Sequence, residues 1–566
     1  MDDRLDCRQK HDVVSGETWA GSLRNRLVEP AGGRSGDRSQ VHPRGGEKTW
    51  ACQLHFVGNP VLFSSKYENW KDIAMQYRSR AYLTATLVVI LLTIAGIGCG
   101  SGNSGKMPIT TSSDEALDYY VKGRDLAERL RGQESIEYFQ KAIALDSNFA
   151  LAYLNLAFSS ASAKEFFENF DKARSLIDHV SEGERNWILG VEAGNNAMPS
   201  RQREYFQRIV DMYPKDERAH NILAGNYFAQ QQWEEAISEY TKAIDINPRF
   251  SPPYNQLGYA YRFLGRYQDA EHAFRRYIKL IPDDPNPYDS YGELLLKMGR
   301  YNQSIQSYEK ALTINSSFAP SHIGIATNLN LKGKHDKARE QLAEMYDTAP
   351  SDGQRRAALF GMAVSYADEG KLDSAVIMLR KQYALAEKIS DAAAMAGDLQ
   401  IIGTVLYEAR KFDQAADAFD KALKIVLGSQ LSPEIKENAR RTNLYLTARL
   451  ALVRGDIEKA RAKWKEYHDE VVKLDNYGQI RLAHDLAGRI ALEKDDYDQA
   501  LTEFGQANQQ DPYILFLTGL AYERKGDLKS AREMYSETVN FNQISSINYS
   551  LVRSRAQAKL STLRQS

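Results

Sequence analysis

Cysteine is the residue type whose chemistry is easiest to place in this chain, because 566 residues contain only Cys7, Cys52 and Cys99. No cysteine follows Cys99, so residues 100–566 hold no disulfide framework, no Cys-x-x-Cys zinc site and no cysteine nucleophile. Cys99 itself stands between a seventeen-residue apolar run, residues 82–98, and the sequence GSGNSG. The residues on either side of Cys99 should therefore indicate why a cysteine stands at this position.

The other reactive side chains form no catalytic motif. The sequence lacks His-Glu-x-x-His, Gly-x-x-x-x-Gly-Lys-Ser/Thr and Gly-x-Ser-x-Gly. The paired carboxylates Asp283-Asp284 and Asp495-Asp496 fall at predicted turns, where solvated acids are common. The 73 basic and 74 acidic residues give a net charge of −1, which argues against a nucleic-acid binder. We therefore expect no enzyme activity, cofactor, metal, small-molecule substrate or nucleic-acid partner.

The residues before Cys99 are ordered like a targeting signal. Residues 75–80, MQYRSR, supply two arginines, the apolar run follows, and Gly98 places a small residue before the cysteine. This order resembles a bacterial lipoprotein signal peptide. One position departs from that family, because Gly96 stands where an aliphatic residue is usual.

This resemblance implies a signal peptide over residues 75–98 and lipid attached to Cys99, which would become the first residue of the mature chain. Gly100 after the cysteine implies sorting to the outer membrane, on its periplasmic side. Two alternatives stay open. The run could be an uncleaved transmembrane anchor, since about 17–25 apolar residues span a bilayer, or a cleaved secretory signal.

The segments on either side of this signal are predicted to lack secondary structure. Residues 1–74 show no helical or strand period, and they hold three of the six Trp and two of the three Cys. We expect translation to start at Met75, which makes residues 1–74 a spurious or disordered extension. Residues 99–113 are rich in Gly and Ser at their start and are predicted to be a flexible tether.

From residue 116 onward the sequence repeats with a period of 34 residues. Residues 217–250 and 251–284 align without a gap. The matching pairs are Leu223/Leu257, Ala224/Gly258, Tyr227/Tyr261, Ala236/Ala270, Tyr240/Phe274 and Pro248/Pro282. These positions carry the signature of the tetratricopeptide repeat, and the chain resembles that family. In such a unit, small residues let two antiparallel helices approach, aromatic residues fill the space between units, and proline ends the second helix.

The same frame predicts about twelve units, and hence an all-α, right-handed superhelical solenoid of helix-turn-helix repeats. The predicted parts are a first half of the array over 114–352, a second half over 353–545 and a C-terminal capping helix over 546–566. Residues 150–182 look like a degenerate unit with a poor second helix. Longer spacers at 389–397 and 431–440 break the period and indicate a bend or a boundary between two arrays.

In this family the first helices of successive units line a concave groove that holds a peptide or a partner helix. The candidate groove positions are the fifth, ninth and twelfth of three units: Asn221, Gly225 and Phe228; Asn255, Tyr259 and Arg262; Asp289, Glu293 and Leu296. Asparagine suits hydrogen bonding to an extended backbone, although ordinary solvent-facing residues would show the same pattern. Asp289 and Glu293 would repel a carboxylate, so the family's Lys/Asn/Arg carboxylate clamp is not expected.

Three of the ten histidines, His220, His322 and His484, recur at the fourth position of their units. A ladder of metal ligands would show this spacing. The fourth position is usually a packing site in this repeat, so we interpret these histidines as structural.

Two functions are compatible with these patterns. The first is a non-enzymatic scaffold that binds proteins or peptides and is anchored by lipid in the bacterial cell envelope. The second is a regulatory or sensory module held by an uncleaved transmembrane helix, since similar arrays follow a membrane helix in bacterial signalling proteins. An enzyme hidden in the array would need a deep pocket with convergent ionisable groups.

Overall fold

A computed structural model describes residues 105–563, which form one compact unit of α-helices with no strand among them. The first helices are α1 (Asp114–Glu128), α2 (Gly132–Leu145), α3 (Ala150–Ser159), α4 (Ala163–Ser175), α5 (Glu182–Asn195), α6 (Pro199–Met212), α7 (Glu217–Ala229), α8 (Trp233–Ile246), α9 (Pro252–Phe263), α10 (Tyr267–Leu280), α11 (Asn286–Lys297) and α12 (Tyr301–Ile314). The others are α13 (Ala319–Leu331), α14 (His335–Thr348), α15 (Asp352–Asp368), α16 (Leu372–Lys388), α17 (Ala392–Glu408), α18 (Phe412–Leu427), α19 (Pro433–Val453), α20 (Ile457–Lys473), α21 (Tyr477–Glu493), α22 (Tyr497–Gln506), α23 (Pro512–Lys525), α24 (Leu528–Val539) and α25 (Ile547–Leu563).

The first 24 helices pack as twelve consecutive pairs, from α1/α2 to α23/α24, and we number these pairs as units one to twelve. Many of the pairs close around a small residue on the first helix and an aromatic ring on the second. A Cβ on Gly258 would lie 2.5 Å from the ring of Phe274, and one on Gly403 would lie 2.3 Å from the ring of Phe419. The all-helical repeat solenoid predicted from the sequence is confirmed.

The turns inside and between units follow the expected chemistry. Gly265, Gly299 and Gly333 join the two helices of their units at φ of 72°, 73° and 70°, a region that suits glycine because it has no Cβ. The second helices α8 and α10 end two residues before Pro248 and Pro282. Proline therefore marks the ends of these helices, as the repeat pattern indicates.

Two sequence interpretations were wrong in detail. Unit two has a full second helix, α4, which buries Phe170 and Ala173 against its neighbours. The longer spacers fall largely inside helices, because α17 is 17 residues long and α19 is 21 residues long. The extra residues therefore lengthen the first helices of units nine and ten.

The first helices of neighbouring units contact one another along much of the array. They consequently form its inner surface. Several hydrogen bonds join the first third of the array to the second half. Among them are the bonds from Lys164 N to Asp391 Oδ2 (3.1 Å), from Ser432 Oγ to Asn196 Oδ1 (3.2 Å), from Asn476 Nδ2 to Ala197 O (2.8 Å) and from Gln231 Nε2 to Asn508 Oδ1 (3.0 Å). These bonds join units seven or eight apart, so one turn of the superhelix packs on the next.

The C-terminal helix α25 packs on units that lie far apart in sequence. It contacts α23 and α24 of unit twelve and also α15 of unit eight. Arg553 Nε donates to Asp368 Oδ1 at 2.8 Å, and both residues are buried. In the loop before α25, the carbonyl of Phe541 accepts a hydrogen bond from Lys297 Nζ at 2.6 Å. The segment that the sequence predicts as a cap thus also bridges two superhelical turns.

The segment just before α1 lies along the start of the array. The backbone amide of Met107 donates to Asp216 Oδ2 at 2.8 Å, and that of Thr110 donates to Glu184 Oε1 at 2.8 Å. Residues 106–113 of the predicted tether are therefore attached to the helices. The predicted extension 1–74, the signal 75–98 and Cys99 lie outside the described residues. Within residues 105–563 we find no helix with the length and apolarity needed to cross a bilayer.

Candidate functional site

A cavity of about 620 Å³ opens on the inner surface of units three and four. Helices α5, α6 and α7 form most of it, and the loop before α21 supplies one wall from the next superhelical turn. Its lining residues are Phe158, Trp187, Val191, Gly194, Asn195, Ala197, Pro199, Gln202, Phe206, Asn221, Ile222, Gly225, Asn226, Ala229, Gln230, Tyr240, Gln256 and Asn476. None of these carries a charge, so the cavity is neutral.

Carboxamides provide most of the polar atoms of this neutral cavity, and two of them hold its walls together. Asn226 Nδ2 donates to the carbonyl of Pro199 at 2.9 Å, which fixes α7 against the start of α6. Asn476 Nδ2 donates to the carbonyl of Ala197, which fixes the loop before α21 against unit three. The shape of the cavity is therefore set before any ligand enters.

Three other carboxamides lack partners among the described residues. Asn195 Nδ2, Asn221 Oδ1 and Gln230 Oε1 are each buried without a hydrogen bond. A buried polar atom without a partner costs about 1–3 kcal/mol. The side chains that line the cavity thus include one donor and two acceptors that no described residue uses, and an extended peptide backbone displays both kinds of group.

Gly225 leaves space in the cavity floor. A Cβ at this position would come no closer than 4.0 Å to another atom, the hydroxyl of Tyr240. Unlike Gly258 and Gly403, this glycine is not required for helix packing. Its missing side chain enlarges the cavity.

The predicted groove residues of unit four lie in two different surroundings. Asn221 lines the cavity, whereas Phe228 packs edge to face on Trp233, with ring centres 5.1 Å apart, and on Phe263 at 5.9 Å. Asn255, the equivalent of Asn221 in unit five, is 4% exposed, and its Oδ1 also has no hydrogen-bond partner among the described residues.

The remaining predicted groove residues bond to one another across units five and six. Arg262 Nη1 donates to Glu293 Oε1 at 2.6 Å, and Tyr259 Oη donates to Glu293 Oε2 at 3.0 Å. Both oxygens of Glu293 are therefore occupied within the protein. Leu296, which completes this set, is fully buried.

Asp289 is buried and does not take part in the Arg262–Glu293 ion pair. Ser321 Oγ donates to its Oδ1 at 2.7 Å. Burial raises the pKa of Asp289 to about 7, the hydrogen bond from Ser321 opposes the rise, and the charge of Glu293 adds to it. The carboxyl group is consequently neutral below that pH. That the nine candidate groove residues contact a ligand stays a prediction.

Sequence models of the tetratricopeptide repeat match four stretches of this chain, residues 226–265, 252–284, 286–318 and 486–543. The chain contains tetratricopeptide repeats. The matched stretches include helices of units four to six, eleven and twelve. No curated protein sequence matches the chain.

Two solved structures with these repeats resemble parts of the array. One is YrrB, described as a TPR protein with an unusual peptide-binding site, which is 19% identical with a TM-score of 0.23 over 32% of this chain and 91% of that one. The other is a tetratricopeptide repeat protein from Parabacteroides merdae, which is 16% identical with a TM-score of 0.32 over 46% of this chain and 99% of that one.

The recurring histidines of the tetratricopeptide repeats connect the two helices of their own units. His220 Nδ1 lies 2.6 Å from Glu239 Oε2, and His484 Nδ1 lies 2.7 Å from Glu503 Oε2. His322 contacts Gln341 in the same way at 2.7 Å. The hydrogen bond to Glu239 raises the pKa of His220. Among residues 105–563 no group of three His, Cys, Asp or Glu could hold a metal ion.

Sequence reasoning missed several cavity residues for which a signal existed. Trp187, Val191 and Gly194 are the fifth, ninth and twelfth residues of the preceding unit in the 34-residue frame, and all three line the cavity. Gln230 lies at the end of α7, outside these positions, and no pattern marks it. Asn476 comes from a distant unit, so only the contact between superhelical turns reveals it.

Proposed function

We propose that the chain is a non-enzymatic scaffold that binds an extended polypeptide segment in the neutral cavity of units three and four. One observation carries the proposal, namely three unpaired carboxamide atoms in a cavity without charged walls. An extended backbone would supply the missing donors and acceptors. The cavity volume of about 620 Å³ lies within the range of ligand sites, about 300–1,000 Å³.

The chemistry of the walls also limits the side chains that the ligand can carry. Phe158, Trp187 and Phe206 supply apolar surface, and no ionised group is present to pair with a charge. Moving an unpaired charge out of water into such a site is costly. The preferred segment is therefore uncharged and carries apolar or amide side chains where it enters the cavity.

Replacing Gly225 with leucine tests this site without disturbing helix packing, because the added side chain has open space to enter. A phage library of random decapeptides would be selected on the protein, and the enriched peptide synthesised. Its dissociation constant, measured by fluorescence anisotropy, is expected to rise at least about tenfold in Gly225→Leu, since the new side chain occupies the ligand's volume.

The matched control is Gly505→Leu, because Gly505 lies on α22 with no atom within 4 Å of a Cβ and far from the cavity residues in sequence. This control is expected to bind the peptide like the original protein. Circular dichroism shows that both variants fold. A selection that enriches no peptide, or a peptide that binds Gly225→Leu unchanged, contradicts the proposal.

We further propose that lipid on Cys99 anchors the scaffold on the periplasmic side of the outer membrane. The support is the order of basic start, apolar run, Gly98 and Cys99 in the sequence. Such an anchor would present the array to secreted or envelope proteins. The competing regulatory module keeps residues 75–98 as a membrane helix.

Intact mass and N-terminal peptide analysis of the protein from its native membrane separates these two proposals. A mature chain that begins with acylated Cys99 is the expected result. A chain that retains residues 75–98 supports the regulatory module instead. Any peptide from residues 1–74 contradicts a translation start at Met75.

A further inference from the structure

A second, much smaller pocket of about 60 Å³ lies on the inner surface of units ten to twelve. Helices α19, α21 and α23 form it, and Asn548 of α25 closes one side. Unlike the neutral cavity, it is lined by charged groups. Three of these are guanidinium groups, on Arg449, Arg481 and Arg489, and two are carboxylates, on Asp485 and Asp511. The wall therefore carries one excess positive charge when all five are ionised.

The two carboxylates of this pocket are hydrogen-bonded by groups other than Arg449 and Arg481. Asp485 accepts from Arg489 Nε at 2.8 Å and from the hydroxyl of Tyr445. Asp511 accepts from the backbone amide of Tyr513 at 2.9 Å and from Asn548 Nδ2 at 2.9 Å. Asp485 thus pairs with Arg489, and Asp511 accepts hydrogen bonds from neutral groups.

Glu408 is the carboxylate nearest to Arg449, and its oxygens are also occupied. Its Oε1 accepts from the hydroxyl of Tyr513 at 2.6 Å, and its Oε2 accepts from Arg555 Nη1 at 2.9 Å. Arg449 Nη2 lies 3.9 Å from Glu408 Oε1, too far for a hydrogen bond. Glu408 therefore forms an ion pair with Arg449 but no hydrogen bond.

Arg449 makes no hydrogen bond among the described residues, although it is only 8% exposed. Its guanidinium carbon lies 4.7 Å from the ring centre of Tyr407 and 5.7 Å from that of Tyr445, so aromatic rings hold it in place. The donors of this fixed guanidinium remain unused at the pocket. A buried cation whose donors have no hydrogen-bond partner lowers the stability of the fold unless an anion binds to it.

Arg481 is a second cation without an acidic partner. Its one hydrogen bond runs from Nη2 to the carbonyl of Gln230 at 3.2 Å. Burial lowers the pKa of this guanidinium, and no carboxylate opposes the effect. Two arginines on neighbouring first helices thus line the same small space, Arg449 with only Glu408 at 3.9 Å and Arg481 with no carboxylate partner among the described residues.

We propose that this pocket binds one small monocarboxylate, of the size of acetate. A planar carboxylate matches the fork of a guanidinium donor, and a single negative charge balances the wall. The volume of about 60 Å³ equals about two molecules of liquid water, so it admits a carboxyl group and little more. Water alone could fill the space but would leave the charge unbalanced. This site shares no lining residue with the peptide-binding cavity.

Isothermal titration calorimetry of the full chain with sodium acetate tests the proposal. One acetate per chain is expected to bind, and Arg449→Met is expected to raise the dissociation constant at least about tenfold, because one charge-assisted bond is lost. Acetamide, which has the same shape without the charge, is expected to give no binding heat. The control is Arg454→Met, since Arg454 lies just after α19, pairs with Asp413 at the surface and does not line the pocket.

Absence of binding heat, or equal acetate binding by Arg449→Met and the original protein, would overturn the proposal. Binding of inorganic phosphate without binding of acetate would overturn the carboxylate assignment. If Arg449→Met fails to fold, Arg481→Gln at the half-buried second arginine carries the same expectation. Titration with triglycine, which has a free terminal carboxylate, distinguishes a polypeptide C-terminus from a free acid as the source of the carboxylate. Tighter binding of triglycine than of acetate assigns the carboxylate to a polypeptide end. Equal or weaker binding assigns it to a free acid.

Discussion

Replacing Arg553 with methionine is expected to lower the free energy of unfolding of the array by about 3–5 kcal/mol. Arg553 and Asp368 are both buried, and the guanidinium donates to the carboxylate at 2.8 Å. Burial alone would raise the pKa of Asp368, but hydrogen bonds from His335 and Arg553 hold it below its ordinary value. Removing the arginine leaves a buried carboxylate that His335 alone must balance.

Urea denaturation followed by circular dichroism measures this loss. The matched control is Lys559→Met on the same helix, because Lys559 and its partner Glu523 are both partly exposed. We expect a loss of about 1 kcal/mol or less for the control. The double variant Arg553→Met, Asp368→Asn should recover part of the stability, since no uncompensated charge remains. Equal losses in the two single variants would contradict the assignment of Arg553 as the main link between α25 and α15.

Replacing Gly403 with alanine is the second change with a large expected effect, a loss of about 2–3 kcal/mol in unfolding free energy. The new Cβ would lie 2.3 Å from Phe419 Cε1 and 2.6 Å from its Cδ1. Neither α17 nor α18 can move freely to relieve this overlap, because α17 also packs on α16 and α18 also packs on α19. The variant is expected to unfold at a lower urea concentration.

A glycine on the same helix provides the control for this prediction. Gly397 has no atom within 4 Å of a Cβ, so Gly397→Ala should stabilise α17 by about 0.5–1 kcal/mol through helix propensity alone. The two substitutions are chemically identical and six residues apart. A destabilisation of equal size in both would show that close packing at Gly403 is not the cause.

Most of the fold could be predicted from the sequence because the information that specifies it is local. The 34-residue period places Gly258 opposite Phe274 and Pro248 after its helix, and these positions determine how one unit pairs. Units nine and ten were harder to predict because extra residues lengthen α17 and α19 without changing the residues that pack. A change of helix length interrupts the 34-residue period, but the interruption alone does not show that the extra residues are helical.

The site could be predicted only in part. The 34-residue period identifies the helices of the inner surface, but it does not show which side chains from other units contact them. Asn221, a groove position predicted from its place in the unit, lines the cavity. The bond from Arg262 to Glu293 joins positions 31 residues apart in two units, and either side chain could equally have faced solvent. Asn476 reaches the cavity from the next superhelical turn, over a separation that no local pattern encodes.

The attachment of α25 to α15 also has a consequence for the order of events during synthesis. Asp368 leaves the ribosome 185 residues before Arg553. At a translation rate of about 5–20 residues per second, Arg553 is synthesised roughly 10–40 seconds after Asp368. During this time the surface of α15 that α25 will cover is exposed on the nascent chain. Units one to seven can therefore form as translation proceeds, but the array reaches its final stability only when the last helix has been made.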